Sequence, residues 1–126
     1  MILNLSRRYQ LLGLSLFLGG ALSGTALCWV WIAAKGPDSK ILLENPKVQV
    51  NLVIYEKSSI RAAHTRPQDQ VIVFLDDAHY EVVYASGKKE VRDRKSGDVI
   101  WHSRGEEAPT LSNTGSEYRT IVVNVK

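Results

Sequence analysis

Cysteine is almost missing from this 126-residue chain, and the one present, Cys28, lies inside an apolar run near the N-terminus. Everything beyond that run must therefore fold by packing alone, with no disulfide, no thiol nucleophile and no cysteine-held metal. A strong charge of either sign is also lacking. Residues 35–126 carry 14 Lys and Arg against 13 Asp and Glu, and no basic stripe interleaved with aromatics stands out, so nucleic acid is not an expected partner. The same stretch shows no helix-period segment, no internal repeat and no low-complexity tract. Gly87, Gly97 and Gly105 are isolated turn glycines, not a phosphate-cradling loop, and no Ser, His and Asp stand at spacings that suggest a hydrolytic triad.

Long uncharged runs are scarce as well, with one exception. Leu11 to Ala34 covers 24 residues without a charge, after Arg7 and Arg8 and before Lys35. As a helix rising ~1.5 Å per residue it would be ~36 Å long, enough to cross a ~30 Å hydrocarbon core with some tilt. Trp29 and Trp31 stand at its far end, where amphipathic rings favour the interface, and Lys35-Gly36-Pro37-Asp38 stops it. Two arginines before the run against one lysine after it place the N-terminus in the cytoplasm and residues 35 onward outside. In a bacterial cell that means a single-pass inner-membrane protein with its C-terminal domain in the periplasm. The alternative is a secreted periplasmic protein: Leu11 to Leu22 forms a signal h-region, and Gly24 and Ala26 fit a cleavage site. Cleavage there would leave an apolar Leu-Cys-Trp-Val-Trp-Ile tail at the mature N-terminus, which favours the uncleaved anchor.

The organisation expected is an anchor or signal segment at 1–34, a linker and first short strand at 35–46, and a β domain at 47–126. Val48, Val50, Leu52 and Ile54 alternate with Gln49, Asn51, Val53 and Tyr55 at period two. Further strands are expected at Val71 to Leu75, His79 to Tyr84, Lys89 to Arg92, Val99 to His102 and Tyr118 to Val125. Turns at Ala85-Ser86-Gly87-Lys88, Lys95-Ser96-Gly97-Asp98 and Asn113-Thr114-Gly115-Ser116 punctuate them. Strands at roughly ten-residue spacing without helices imply an all-β sandwich or barrel. In the strand after His64-Thr65-Arg66-Pro67-Gln68-Asp69, Gln70, Ile72 and Phe74 share one face and Val71, Val73 and Leu75 the other. Gln70 then stands at the mouth of whatever that strand lines. The second stripe needs cover, from a twofold partner or from Ile41-Leu42-Leu43.

From about Lys47 to its end the chain resembles the small single-domain cupins, which are jelly rolls with a double-stranded β-helix. Their first motif runs Gly, five residues, His-x-His, three or four residues, Glu, six residues, Gly; here His64, Arg66, Gln70 and Asp77 take the two His, Glu and closing Gly positions. Their second motif is matched by Gly97-Asp98, Gly105 and Asn113, while Pro109 falls where the third metal-binding His would be. The resemblance implies the fold, and in that family the motif residues hold iron, manganese, nickel or zinc. Of the four metal ligands this sequence keeps His64 alone. Arg66 brings a fixed positive charge and Gln70 only a neutral amide oxygen.

The candidate ligand-binding residues are accordingly His64, Arg66, Gln70 and His102, with no catalytic residue identified and no cofactor expected. His102, after Trp101 at a strand end, reads otherwise as a rim residue. His79 reads as a solvated hairpin residue, and Glu106 and Glu107 as solvated loop carboxylates. A rebuilt metal site would draw on His64, His102 and Glu107 or Glu106. Three functions follow: a metal-free binding module for a small, anionic molecule; a metal-dependent dioxygenase or isomerase with altered ligands; and an interaction domain with a vestigial pocket. The first is the primary expectation, with a homodimer as the expected assembly.

Overall fold

A computed structural model describes residues 34–126; the membrane or signal segment read over 11–34 falls, but for its last residue, outside them. The described residues are all β. In chain order the strands are β1 (Asp38–Glu44), β2 (Val48–Tyr55), β3 (Ile60–Arg61), β4 (His64–Thr65), β5 (Asp69–Phe74) and β6 (Ala78–Val83). They continue with β7 (Lys89–Arg94), β8 (Val99–His102), β9 (Glu107–Ala108), β10 (Thr110–Asn113) and β11 (Tyr118–Val125). A five-stranded sheet has the order β8-β5-β11-β2-β1 and a four-stranded sheet the order β3-β10-β6-β7. A short ribbon, β4 with β9, is separate from both. Every pairing is antiparallel. The long strands and their turns stand where the alternation and the glycine turns put them; β3, β4, β9 and β10 are too short to show a period.

The core lies between the sheets. Tyr55, Phe74 and Tyr118 from the large sheet meet Ala78, Tyr80, Val82 and Leu111 from the small one, all buried. Four of these are aromatic and form one stack: Tyr55 on Tyr118 at 4.8 Å between ring centroids, Tyr118 beside Tyr80 at 5.8 Å, and Phe74 within 6.3 Å of Tyr80. Each such pair adds ~0.5–1.5 kcal/mol beyond the area it buries, which stiffens a core that has no disulfide. Asn113 locks the end of the stack. Its side-chain amide donates to the carbonyls of Tyr55, Glu56 and Ser116 at 3.0–3.1 Å, and its Oδ1 accepts from the Gly115 N–H at 3.0 Å. Gly115 has no room for a side chain there, since a Cβ would come within 3.0 Å of the His79 Cβ.

Gln70, Ile72 and Phe74 do share the interior face of β5, and Val71 and Val73 the outer one; Leu75 lies just past the strand's end. Ile41-Leu42-Leu43 does not fold over that outer stripe. It belongs to β1, the fifth strand of the same sheet, which pairs alongside β2 and extends the apolar face instead of covering it.

Candidate functional site

Registers within the large sheet build the site row by row. On its inner face His102, Gln70, Asn124 and Gln49 stand side by side across β8, β5, β11 and β2. The next row is Ile100, Ile72, Val122 and Asn51; then come Phe74, Thr120 and Val53, and last Tyr118 and Tyr55. The interior is thus polar at one end and aromatic at the other. Burial pushes the Tyr118 phenol well above its ordinary range, so it stays a neutral hydroxyl.

Arg66 joins the polar end from the turn between β4 and β5. It is only 5% exposed, and its Nη1 donates to the Gln70 Oε1 at 2.8 Å. Gln70 passes the bond on, its Nε2 donating to the Asn124 Oδ1 at 2.8 Å. Burial first, and then the neighbouring Arg61 charge, hold the Arg66 guanidinium below its usual value, though arginine remains charged. Arg61, on β3 of the opposite sheet, donates through Nη2 to the Pro109 carbonyl at 2.7 Å. No carboxylate forms an ion pair with either arginine among the described residues. Four buried polar atoms have no hydrogen-bond partner there: Arg61 Nε, Arg66 Nε, Asn51 Oδ1 and Ser59 Oγ.

His102 stands beside this group. Its Nδ1 lies 3.3 Å from the Glu106 Oε1, which also accepts the Ser103 N–H at 2.8 Å. Burial lowers the His102 pKa, Arg66 and Arg61 lower it further, and Glu106 opposes them. The Glu106 carboxyl is itself held below the usual range, chiefly by the Ser103 N–H. The β4–β9 ribbon ties this loop to Arg66: the Arg66 N–H donates to the Glu106 carbonyl at 2.9 Å and the Gly105 N–H to the Arg66 carbonyl at 2.8 Å.

The structure therefore brings Arg66, Gln70 and His102 to one end of the interior. His64 stands apart on the ribbon, exposed, with its Nδ1 3.2 Å from the Ala62 carbonyl. Glu107 is also exposed and accepts from the Thr65 hydroxyl at 2.9 Å. His64, His102 and Glu107 do not gather: among the described residues no three His, Cys, Asp or Glu come together as a metal-holding group. The donor chemistry at the motif positions also fails to fit a divalent cation. The Gln70 oxygen is taken by a guanidinium, and the carbonyl of Pro109, where the third histidine would be, is taken by another. His79 is a hairpin residue as its position suggests, exposed and 2.6 Å from Asp93 on the next strand. Arg61, Asn51 and Asn124 are the site residues that pattern reading misses. The only trace of the last two is a polar residue recurring on one face of a strand whose other face is aliphatic.

No protein-family model matches the chain, and no curated protein matches it. Solved structures do. A cupin domain from Bordetella pertussis Tohama I superposes with a TM-score of 0.67 at 15% identity, over 76% of this chain and 99% of that one. A cupin superfamily protein from Desulfitobacterium hafniense DCB-2 gives 0.56 at 11% identity, over 76% and 83%. The polyketide cyclase RemF from Streptomyces resistomycificus gives 0.55 at 19% identity, over 75% and 70%. With two antiparallel sheets enclosing a partly polar interior, and with these neighbours, the domain has the small cupin fold.

Proposed function

We propose that this protein is a ligand-binding module held at the outer face of a membrane, taking a small anionic molecule at the polar end of its cupin interior. The observation that carries this reading is Arg66: a guanidinium 5% exposed, tied to a neutral amide, with no carboxylate paired to it. Burying a charge without a counter-charge costs several kcal/mol, and a bound anion removes that cost. Gln70 and His102 complete the lining. The membrane placement rests on the uncharged run Leu11 to Ala34 and the arginines before it.

A second reading, a metal-dependent enzyme, draws on the close His102–Glu106 pair and on the enzyme named among the structural neighbours. It requires a donor set outside the motif positions. Elemental analysis of the purified chain, freed of metal-binding tags and dialysed, separates the two. Stoichiometric iron, manganese, nickel or zinc that is lost on His102→Ala moves the enzyme to first place. Persistence of the metal-free protein, together with a thermal midpoint raised by anions, supports the binding module.

A further inference from the structure

The ligand's charged group has a more specific seat than one arginine, and the case for it rests on the binding-module reading above. Arg66 spends Nη1 on Gln70, so the side-on edge of its guanidinium, Nε and Nη2, has no protein acceptor among the described residues. Arg61 spends Nη2 on the Pro109 carbonyl, and its Nε is likewise buried without a partner. Both Nε atoms are shut off from water, so solvent does not replace the missing acceptor. The two cations come from different elements, β3 and the turn before β5, and the Arg61 charge bears on Arg66. Like charges brought together where Arg66 is buried and Arg61 half-buried cost stability unless an opposite charge offsets them. A guanidinium with an unspent side-on edge, beside a second with an unpartnered Nε, suits one chemistry well: a carboxylate or phosphate, whose two oxygens can accept charge-assisted hydrogen bonds from both.

We propose that Arg61 and Arg66 together clamp a single oxyanion, the carboxylate or phosphate of a small ligand, with Gln70 fixing the orientation of Arg66. Arg66 stands where the motif would place its second histidine, and Arg61 holds the carbonyl of Pro109, where the motif would place its third.

The test uses the full chain in detergent and three probes at matched ionic strength: acetate, inorganic phosphate, and acetamide as the uncharged isostere of acetate. Unfolding of the β domain is followed by circular dichroism. Acetate or phosphate raises the midpoint of the wild type and acetamide does not; which of the two anions is better identifies the ligand's head group. Arg61→Gln and Arg66→Gln each weaken the effective anion more than tenfold, and Arg61→Lys, which keeps the charge but loses the fork, falls between. If Arg66→Gln does not fold, Arg61→Gln alone carries the comparison. Equal protection by acetamide and acetate overturns the clamp while leaving a ligand chamber. Anion protection that is lost in Arg66→Gln but intact in Arg61→Gln overturns the pairing. No protection by any probe, with Arg66→Gln less stable than wild type, makes the arginines structural and removes the binding-module reading as well.

Discussion

Two buried polar side chains show how differently a residue can be used. Asn113, 2% exposed, satisfies three carbonyls and one N–H within the chain. Asn113→Ala strips those partners and leaves the carbonyls buried without donors, so it should cost about 3 kcal/mol, read as a lowered urea midpoint with an unchanged slope. Arg66 is nearly as buried, yet its Nε has no partner, no carboxylate is ion-paired with it, and Glu106 acts on its charge only from a distance. Arg66→Met should leave the unliganded protein as stable as wild type or up to about 2 kcal/mol more stable, because an apolar isostere removes the desolvated charge. A loss as large as that of Asn113→Ala would mean that Arg66 is a structural strut. His102 supplies the pH dependence. Its folded pKa is lowered by burial and by Arg66 and Arg61, so the unfolded chain takes up the proton more readily. Its contribution to stability is full above the unfolded value of ~6.5, and falls as pH drops through that value towards the depressed one. A bound anion opposes the arginine charges, so anion affinity should rise over the same window, and the His102 ring titration followed by NMR should move upward when the anion is added.

At the scale of the strand, alternation gave the positions of the long elements but not their polarity. In β2 an ordinary reading buries Val48, Val50, Leu52 and Ile54 and exposes Gln49 and Asn51. The registers put Gln49, Asn51, Val53 and Tyr55 on the inner face. The inversion follows from what the inside contains: an interior with a polar end takes side chains such as Gln49 and Asn124, and the aliphatic residues take the outer side. Across that outer face run Trp101, Val71, Val123, Val50 and Leu43, with Val99, Val73, Ile121 and Leu52 beside them. Trp101 is 56% exposed and Val99 61%. An apolar sheet face this broad is the kind of surface that a second subunit covers, and its row of matching strands suits a twofold arrangement. We expect the detergent-solubilised chain to sediment as a dimer at micromolar concentration, and Val73→Lys with Trp101→Ser to give a folded monomer. A wild-type chain that stays monomeric would assign the face to another partner. Arg61 escaped sequence reading for a related reason: β3 is two residues long, too short to carry a period, and only the pairing with Leu111 fixes where its side chain stands.

For the whole molecule, the address we propose follows from the distribution of charge more than from its total. Arg7 and Arg8 precede the uncharged run, Lys35 follows it, and the β domain is close to neutral. A segment of 24 uncharged residues exceeds the ~20 that a spanning helix needs and the 7–15 of a signal h-region. Cleavage after Ala26 would also expose Leu27, Trp29, Val30 and Trp31 to water at a free N-terminus, whereas retention buries them at the outer interface. The expected result is a chain that pellets with membranes, resists carbonate extraction, and keeps Arg7 and Arg8 joined to the β domain. Protease added from outside should digest the exported domain, or trim only its exposed edges if the β fold protects it, and leave a small fragment containing Arg7 and Arg8. A soluble product whose sequence starts near Leu27 would make the segment a cleaved signal.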